Sequence, residues 1–205
     1  MMKQLTKTPA RWFLFSSAVL CAATAGALYA GLRLNLTPSL PVGVYQTTHG
    51  QVEPGAIVVA CLPEPAARLA AERGYVGSGH ACADGTEPIG KLVLAAGGDT
   101  VEVRNRGLSV NGRAIPRTGR LPRDSDGRPV PLVAEGIHVV QAGELWLVAT
   151  IHRRSFDSRY FGPVPSRNVL SVVRPVWLWW GADAAADPFR PEWERPTFAR
   201  RRGGE

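Results

Sequence analysis

Ser39 stands between two prolines in the stretch Asn35-Leu-Thr-Pro-Ser-Leu-Pro-Val-Gly-Val-Tyr45. A serine hydroxyl is a weak nucleophile at neutral pH and needs a neighbouring base before it can attack a carbonyl. The base the sequence favours is Lys91, the one cation in the apolar run Pro88-Ile-Gly-Lys-Leu-Val-Leu94. Desolvation disfavours the ammonium form and can lower a lysine pKa by about 3–5 units when burial is complete, leaving a neutral amine able to take a proton. The competing reading is a lysine that snorkels from a strand edge and keeps its charge in water. A second base is conceivable, because His152 lies shortly before Asp157 and a triad of Ser39, His152 and Asp157 fits the chemistry of acyl transfer. His49, His80 and His138 are dispersed and read as surface or hydrogen-bonded core residues.

Of the three cysteines, Cys21 falls in an apolar segment and reads as a small filler. If the folded region lies on an oxidising face of a membrane, Cys61 and Cys82 read as a disulfide worth about 3 kcal/mol by the loop-entropy model; the alternative is two independent buried thiols. There is no CxxC spacing and no His-rich cluster, so neither a metal site nor a cofactor is expected.

These residues need elements to hold them. Trp12 to Leu32 carries no charge, and as a helix it reaches about 31 Å, enough for the hydrocarbon core of a bilayer. Lys3, Lys7 and Arg11 precede it and no acidic residue occurs before Glu53, which places the N-terminus in the cytoplasm and the rest outside. The run continues past the small-residue site Ala25-Gly26-Ala27, so it reads as an uncleaved anchor rather than a secretory leader. The chain then divides into residues 1–11, a cytoplasmic N-terminus; 12–32, a transmembrane anchor; 33–182, the folded domain; and 183–205, a polar tail expected to be poorly ordered or laid along the surface.

Beyond Val42, short apolar runs alternate with turn residues, the pattern of strands. Ala56–Ala60, Leu92–Leu94, Thr100–Val103 and Leu108–Val110 are examples, with Asn111-Gly112 as a hairpin turn. Gly136–Val140 and Leu145–Val148 read as a second hairpin around Ala142-Gly143, and Val169–Trp180 is the last apolar run. Pro63–Ala71 reads as one or two helical turns and Pro116–Pro131 as a polar surface loop. With 22 Gly and 17 Pro spread along the chain, a mainly β domain is expected rather than a helical bundle, where each interior proline would cost about 3 kcal/mol. The net charge of +7 comes without a basic helix, zinc spacing or aromatic-basic strand, so it reads as a surface near lipid headgroups and no nucleic-acid partner is expected.

Three blocks occur in the order found in type I signal peptidases, and the chain most closely resembles the TraF-type conjugal-transfer peptidases among them. Asn-Leu-Thr-Pro-Ser-Leu-Pro-Val-Gly (35–43) resembles the nucleophile block. Lys-Leu-Val-Leu-Ala-Ala-Gly-Gly-Asp-Thr-Val (91–101), followed by Val-Asn-Gly (110–112), is similar to the lysine block. Ser-Phe-Asp-Ser-Arg-Tyr-Phe-Gly-Pro-Val (155–164) resembles the third and most specific block. The resemblance spans residues 8–178. It implies a signal-peptidase/LexA-like, β-rich catalytic domain behind one transmembrane helix, with Ser39 as nucleophile and Lys91 as general base.

The same resemblance implies further roles. Thr37 would supply a hydroxyl to an oxyanion hole beside the Ser39 N–H, against a turn-capping reading. Ser155 would hydrogen-bond and orient the Lys91 amine. Asp157 and Arg159 would form a pair shaping the site, with Asp157 counted among the catalytic residues, against a purely structural salt bridge. The implied partners are the bilayer and a membrane-inserted precursor such as a prepilin, cleaved on the periplasmic side of a bacterial inner membrane and released linear or cyclised. Leu40, Val42 and part of Val172–Trp180 would rest on lipid, with Trp177, Trp179 and Trp180 as an interfacial belt, against the equal reading of an ordinary core-plus-surface strand. Departures from the general bacterial pattern are Ser39-Leu-Pro in place of Ser-Met-x-Pro, Leu92 where an Arg commonly follows the lysine, and Ala149-Thr-Ile151 in place of Gly-Asp-Asn; they bear on substrate specificity. The rival classes are a non-catalytic membrane-anchored β scaffold and a self-cleaving regulator, the latter disfavoured because the apolar helix occupies the place of a DNA-binding domain.

Overall fold

The first element is a helix, α1 (Thr8–Tyr29), in a computed structural model that describes residues 8–179. The expectations placed on Lys3, Lys7, Trp180 and the tail from Asp183 to Glu205 fall outside the described residues. Within α1, Trp12–Tyr29 is long and apolar enough to cross a membrane, and none of it is buried against the rest of the chain. The helix stops before the apolar run does. Gly31 adopts φ +73°, a left-handed conformation that closes a helix without a Cβ penalty, and Leu32 already begins a strand, β1 (Leu32–Asn35).

The remaining elements are β2 (Gly43–Thr48), β3 (Ile57–Ala60), α2 (Glu64–Glu72), β4 (Ile89–Ala96), β5 (Thr100–Arg104), β6 (Gly107–Val110), β7 (Arg113–Ile115), β8 (Gly136–Val139), β9 (Glu144–Val148), α3 (Ser158–Phe161), β10 (Val164–Pro165), a 3-10 turn (Ser166–Asn168) and β11 (Val169–Leu178). The strands form a 7-stranded sheet in the order β1-β2-β11-β3-β4-β9-β10 and a 4-stranded sheet in the order β7-β6-β5-β8. The domain is mainly β, as composition and turn spacing predict. The β6–β7 turn is the expected Asn111-Gly112, with φ of 50° and 77°, the left-handed pair that two-residue hairpins require.

One predicted pairing is wrong. β8 and β9 are not a hairpin: β8 pairs with β5 in the small sheet, while β9 pairs with β4 and β10 in the large one. The turn at Ala142-Gly143 is where the chain changes sheets. β9 is apolar on consecutive positions because both of its faces are covered. Trp146 and Val148 pack with Ala95, Val101, Val103 and Leu108 between the sheets, and Leu145 and Leu147 pack with Val58, Ala60 and Val93 on the other side.

Cys61 and Cys82 form a disulfide, closing the excursion that carries α2 between β3 and β4. Ala66, Ala67 and Ala70 of α2 bury against Tyr75, Ile89, Phe156 and Phe161. The Pro116–Pro131 segment is a loop but not merely a surface one: Thr118 and Arg120 are buried. The Thr118 hydroxyl accepts from Leu108 N at 2.9 Å, and Arg120 donates to Asn105 Oδ1 at 2.9 Å and to the Val133 carbonyl.

Candidate active site

Ser39 lies in the loop that joins β1 to β2, and its neighbour Leu40 decides where the loop goes. Leu40 is buried with Tyr45 of β2, Ile57 of β3 and Val173 of β11, so it does not rest on lipid as the sequence suggested. Its side chain also lies over Gly90 of β4: a Cβ on Gly90 would come within 2.8 Å of Leu40 Cδ1. The glycine before Lys91 therefore lets the residue after Ser39 settle on β4, and the Ser39 and Lys91 segments converge on one cleft.

Lys91 takes an inward position in the alternation of β4 and is 3 % exposed. Its pKa is lowered to about 8, first by burial, with the Asp157 carboxylate pulling it up and the Arg159 guanidinium pushing it down. Among the described residues no hydrogen bond joins Lys91 to Ser39. The Ser39 hydroxyl instead meets the Ser155 hydroxyl at 3.1 Å, so Ser155 sits on the serine rather than on the lysine amine. Apo catalytic contacts are often long and tighten only in the substrate complex.

The third sequence block is built so that nearly every residue has a job. Asp157 caps α3, accepting from Arg159 N at 3.2 Å, and takes Ala149 N at 3.0 Å at the end of β9. Arg159 clasps the same carboxylate through Nε and an Nη, both at 2.7 Å, with both side chains 0 % exposed. It also donates to the carbonyls of Ser155 and Gly119, each at 3.2 Å. Ser158 Oγ accepts from Leu147 N at 2.9 Å, and Tyr160 Oη accepts from Leu121 N at 3.1 Å. The Asp157–Arg159 pair thus ties the Ser155 turn to β9 and to the long loop. It acts on Lys91 through its charges, without a hydrogen bond to the amine.

These hydrogen bonds dispose of the triad alternative. Asp157 spends its oxygens on Ala149 and Arg159 and accepts nothing from His152, which lines the cleft without joining Asp157. Thr37 is exposed beside Ser39, and its hydroxyl donates to Asn35 Oδ1 at 2.7 Å. Neither Asn35 nor Gly90 received a role from the sequence. The signal for Gly90 was its place beside an inward-facing lysine.

The cleft has a volume of about 370 Å³. Val76, Ile89, Phe156 and Tyr160 give it an apolar side, while Glu87, Arg123 and Arg154 give it charge. Its two walls, the segment after α2 and the long loop, are joined by Tyr75 Oη donating to Asp124 Oδ2 at 2.6 Å and by Arg73 donating to the Pro129 carbonyl at 2.8 Å. Among the described residues no group of three or more His, Cys, Asp or Glu side chains is placed to hold a metal ion. A hydroxyl, a buried amine of lowered pKa and a half-apolar cleft can together perform acyl transfer on an extended chain.

The profile of the signal peptidase family, peptidase S26, matches residues 10–179. A plasmid transfer protein TraF of Escherichia coli is 36% identical over 179 residues, which is 87% of this chain and 100% of that protein. A conjugal transfer protein TraF of Agrobacterium tumefaciens (strain 15955) is 39% identical over 169 residues, 80% of this chain and 93% of that one. A signal peptidase I of Enterococcus faecalis V583, solved by crystallography, is 19% identical and superposes with a TM-score of 0.36, over 62% of this chain and 100% of its own. By the profile match, which takes in most of its length, the chain belongs to the signal peptidase family, peptidase S26.

Proposed function

We propose that the protein is a membrane-anchored serine endopeptidase that processes an exported precursor, a pilin by preference, in a conjugative transfer system. The observation that carries this reading is one cleft holding Ser39, Ser155 and a Lys91 amine whose pKa is lowered to about 8 by burial. Ser39 Oγ attacks the carbonyl after a small residue, and its proton passes to the Lys91 amine. The tetrahedral oxyanion is met by the Ser39 N–H, with Thr37 Oγ1 as a second donor once it leaves Asn35. Collapse breaks the peptide bond, and Lys91 returns the proton to the departing amine. The acyl-enzyme then gives its acyl group to water, or to the precursor's own amine in a cyclisation. Ser155 orients the attacking hydroxyl, and Asp157 and Arg159 hold the turn that carries Ser155.

The relatives named for plasmid and conjugal transfer support the biological setting. The candidate span Trp12–Tyr29, behind Lys3, Lys7 and Arg11, supports a single-pass inner-membrane protein with its catalytic domain in the periplasm. The partners are then the bilayer and the inserted precursor, with the anchor supplying proximity in place of tight recognition. The test is processing of the precursor by full-length Ser39→Ala and Lys91→Ala variants. Both are expected to leave it uncut, and cleavage surviving in both favours the scaffold reading. Mass spectrometry of the wild-type product separates hydrolysis from cyclisation, the linear form being heavier by one water.

A further inference from the structure

Prolines at 38 and 41 remove two N–H donors from the loop that carries Ser39, so the loop's carbonyls must find donors elsewhere. One side chain supplies most of them. Asn35 Nδ2 lies within hydrogen-bond reach of the carbonyls of Thr37, Leu40 and Pro41 at 3.0, 3.2 and 3.1 Å, its two protons shared among the three, and Tyr45 Oη adds a bond to the Pro41 carbonyl at 2.8 Å. Asn35 Oδ1 in turn accepts from Thr37 N at 3.2 Å and from Thr37 Oγ1 at 2.7 Å. The carboxamide therefore sits inside the loop as its template, bonded to residues on both sides of Ser39. Its own backbone is fixed by the β1–β2 ladder, where Asn35 pairs with Gly43.

We infer that Asn35 is a positioning residue for the nucleophile loop: it sets the direction of the Ser39 N–H and hydroxyl, and it holds the Thr37 hydroxyl in reserve at the mouth of the oxyanion site. The inference rests on Ser39 being the nucleophile. A hydroxyl has one proton, so Thr37 cannot donate to Asn35 and to an oxyanion at once. With substrate absent the bond goes to Asn35, and the oxyanion takes it over as charge develops. Asn35 does not line the cleft and makes no hydrogen bond to Lys91, so its removal should lower the rate of the chemical step without changing the proton affinity of the base.

The experiment uses the full-length protein in detergent micelles and an internally quenched peptide with Ala at the scissile position. Wild type, Ser39→Ala, Asn35→Ala, Asn35→Asp, Thr37→Val and the Asn35→Ala/Thr37→Val pair are compared for kcat, KM, pH profile and thermal midpoint. Asn35→Ala is expected to lower kcat about 10–100-fold with KM within about twofold, the range that loss of alignment produces. The pH midpoint should stay where Lys91 sets it. Asn35→Asp keeps the acceptor for Thr37 but replaces the donor to three carbonyls with an oxygen, and should lose kcat by a similar factor even if the alanine variant folds poorly. The Thr37→Val loss should shrink in the Asn35→Ala background, because the hydroxyl it removes is no longer placed. Wild-type kcat in Asn35→Asp, additive losses in the double variant, or a displaced pH midpoint would each overturn the inference. Absence of any Ser39-dependent turnover would sink the peptidase reading itself, whereas Ser39-dependent turnover indifferent to Asn35 would sink this inference alone.

Discussion

Burial of the Lys91 amine costs stability. Its pKa is lowered from 10.5 to about 8, first by desolvation; at about 1.4 kcal/mol per unit this is a penalty of about 3 kcal/mol wherever the folded protein holds the lysine protonated. Below pH 8 both folded and unfolded lysines carry the proton and the penalty is full. Between 8 and 10.5 the folded one has released it and the unfolded one has not, so stability gained from this group rises with pH. Lys91→Met should therefore be inactive yet more stable than wild type at pH 7, with the gap closing towards pH 10.5 in denaturant titrations. Wild-type activity should climb through a midpoint near 8; a midpoint near 10.5 would show that burial is not felt. The Asp157–Arg159 pair obeys a different rule. Asp157→Ala leaves a guanidinium buried without its partner and should cost about 3–5 kcal/mol, whereas replacing both by apolar residues can recover much of that. If the paired replacement recovers the unfolding midpoint but not the activity, the pair is needed for the Ser155 turn and not only for the fold.

Elements position these groups through close approaches more than through regular packing. Gly90 is the clearest case, since Leu40 occupies the space its Cβ would take. Gly90→Ala should push the Ser39 loop off β4 and lower kcat about 10-fold or more, by the sensitivity of aligned reactions to sub-ångström displacement; full activity in that variant would mean that the Leu40 contact does not set the loop. The strands, the Asn111-Gly112 turn and the helical turns after Pro63 were readable from alternation and turn chemistry, because these are local properties. The β8–β9 error was not avoidable on the same ground: two apolar runs about a Gly look like a hairpin whether the chain returns along itself or crosses to another sheet. Asn35 was invisible for a related reason. Its importance lies in carbonyls that two prolines leave without donors, and side-chain identity says nothing of where an amide points. Thr118 and Arg120 were lost in a polar stretch because a loop that forms a wall of a cleft has the composition of one that faces water.

At the scale of the whole molecule, the candidate membrane span and the Ser39 loop meet on one sheet. α1 leads into β1, β1 pairs with β2, and β2 pairs with β11, so the strands nearest the helix are those next to the Ser39 loop. On these strands and the chain that follows them, large apolar side chains stay in the open: Leu34, Leu36, Val176, Trp177 and Trp179, with Trp177 65 % exposed. Lipid is a solvent for that surface if the domain lies down on the bilayer beside its own anchor, and tryptophan is the residue suited to the headgroup layer. Replacing Trp177 and Trp179 with serine should then leave cleavage of a water-soluble peptide unchanged, because neither residue lines the cleft. Processing of a precursor embedded in liposomes should fall, on the order of 10-fold, as the cleft loses its registry with the membrane surface. The comparison must be made on the full-length chain in both assays. Equal loss on peptide and embedded precursor would assign the tryptophans to the fold, and no loss on either would remove lipid contact from the mechanism.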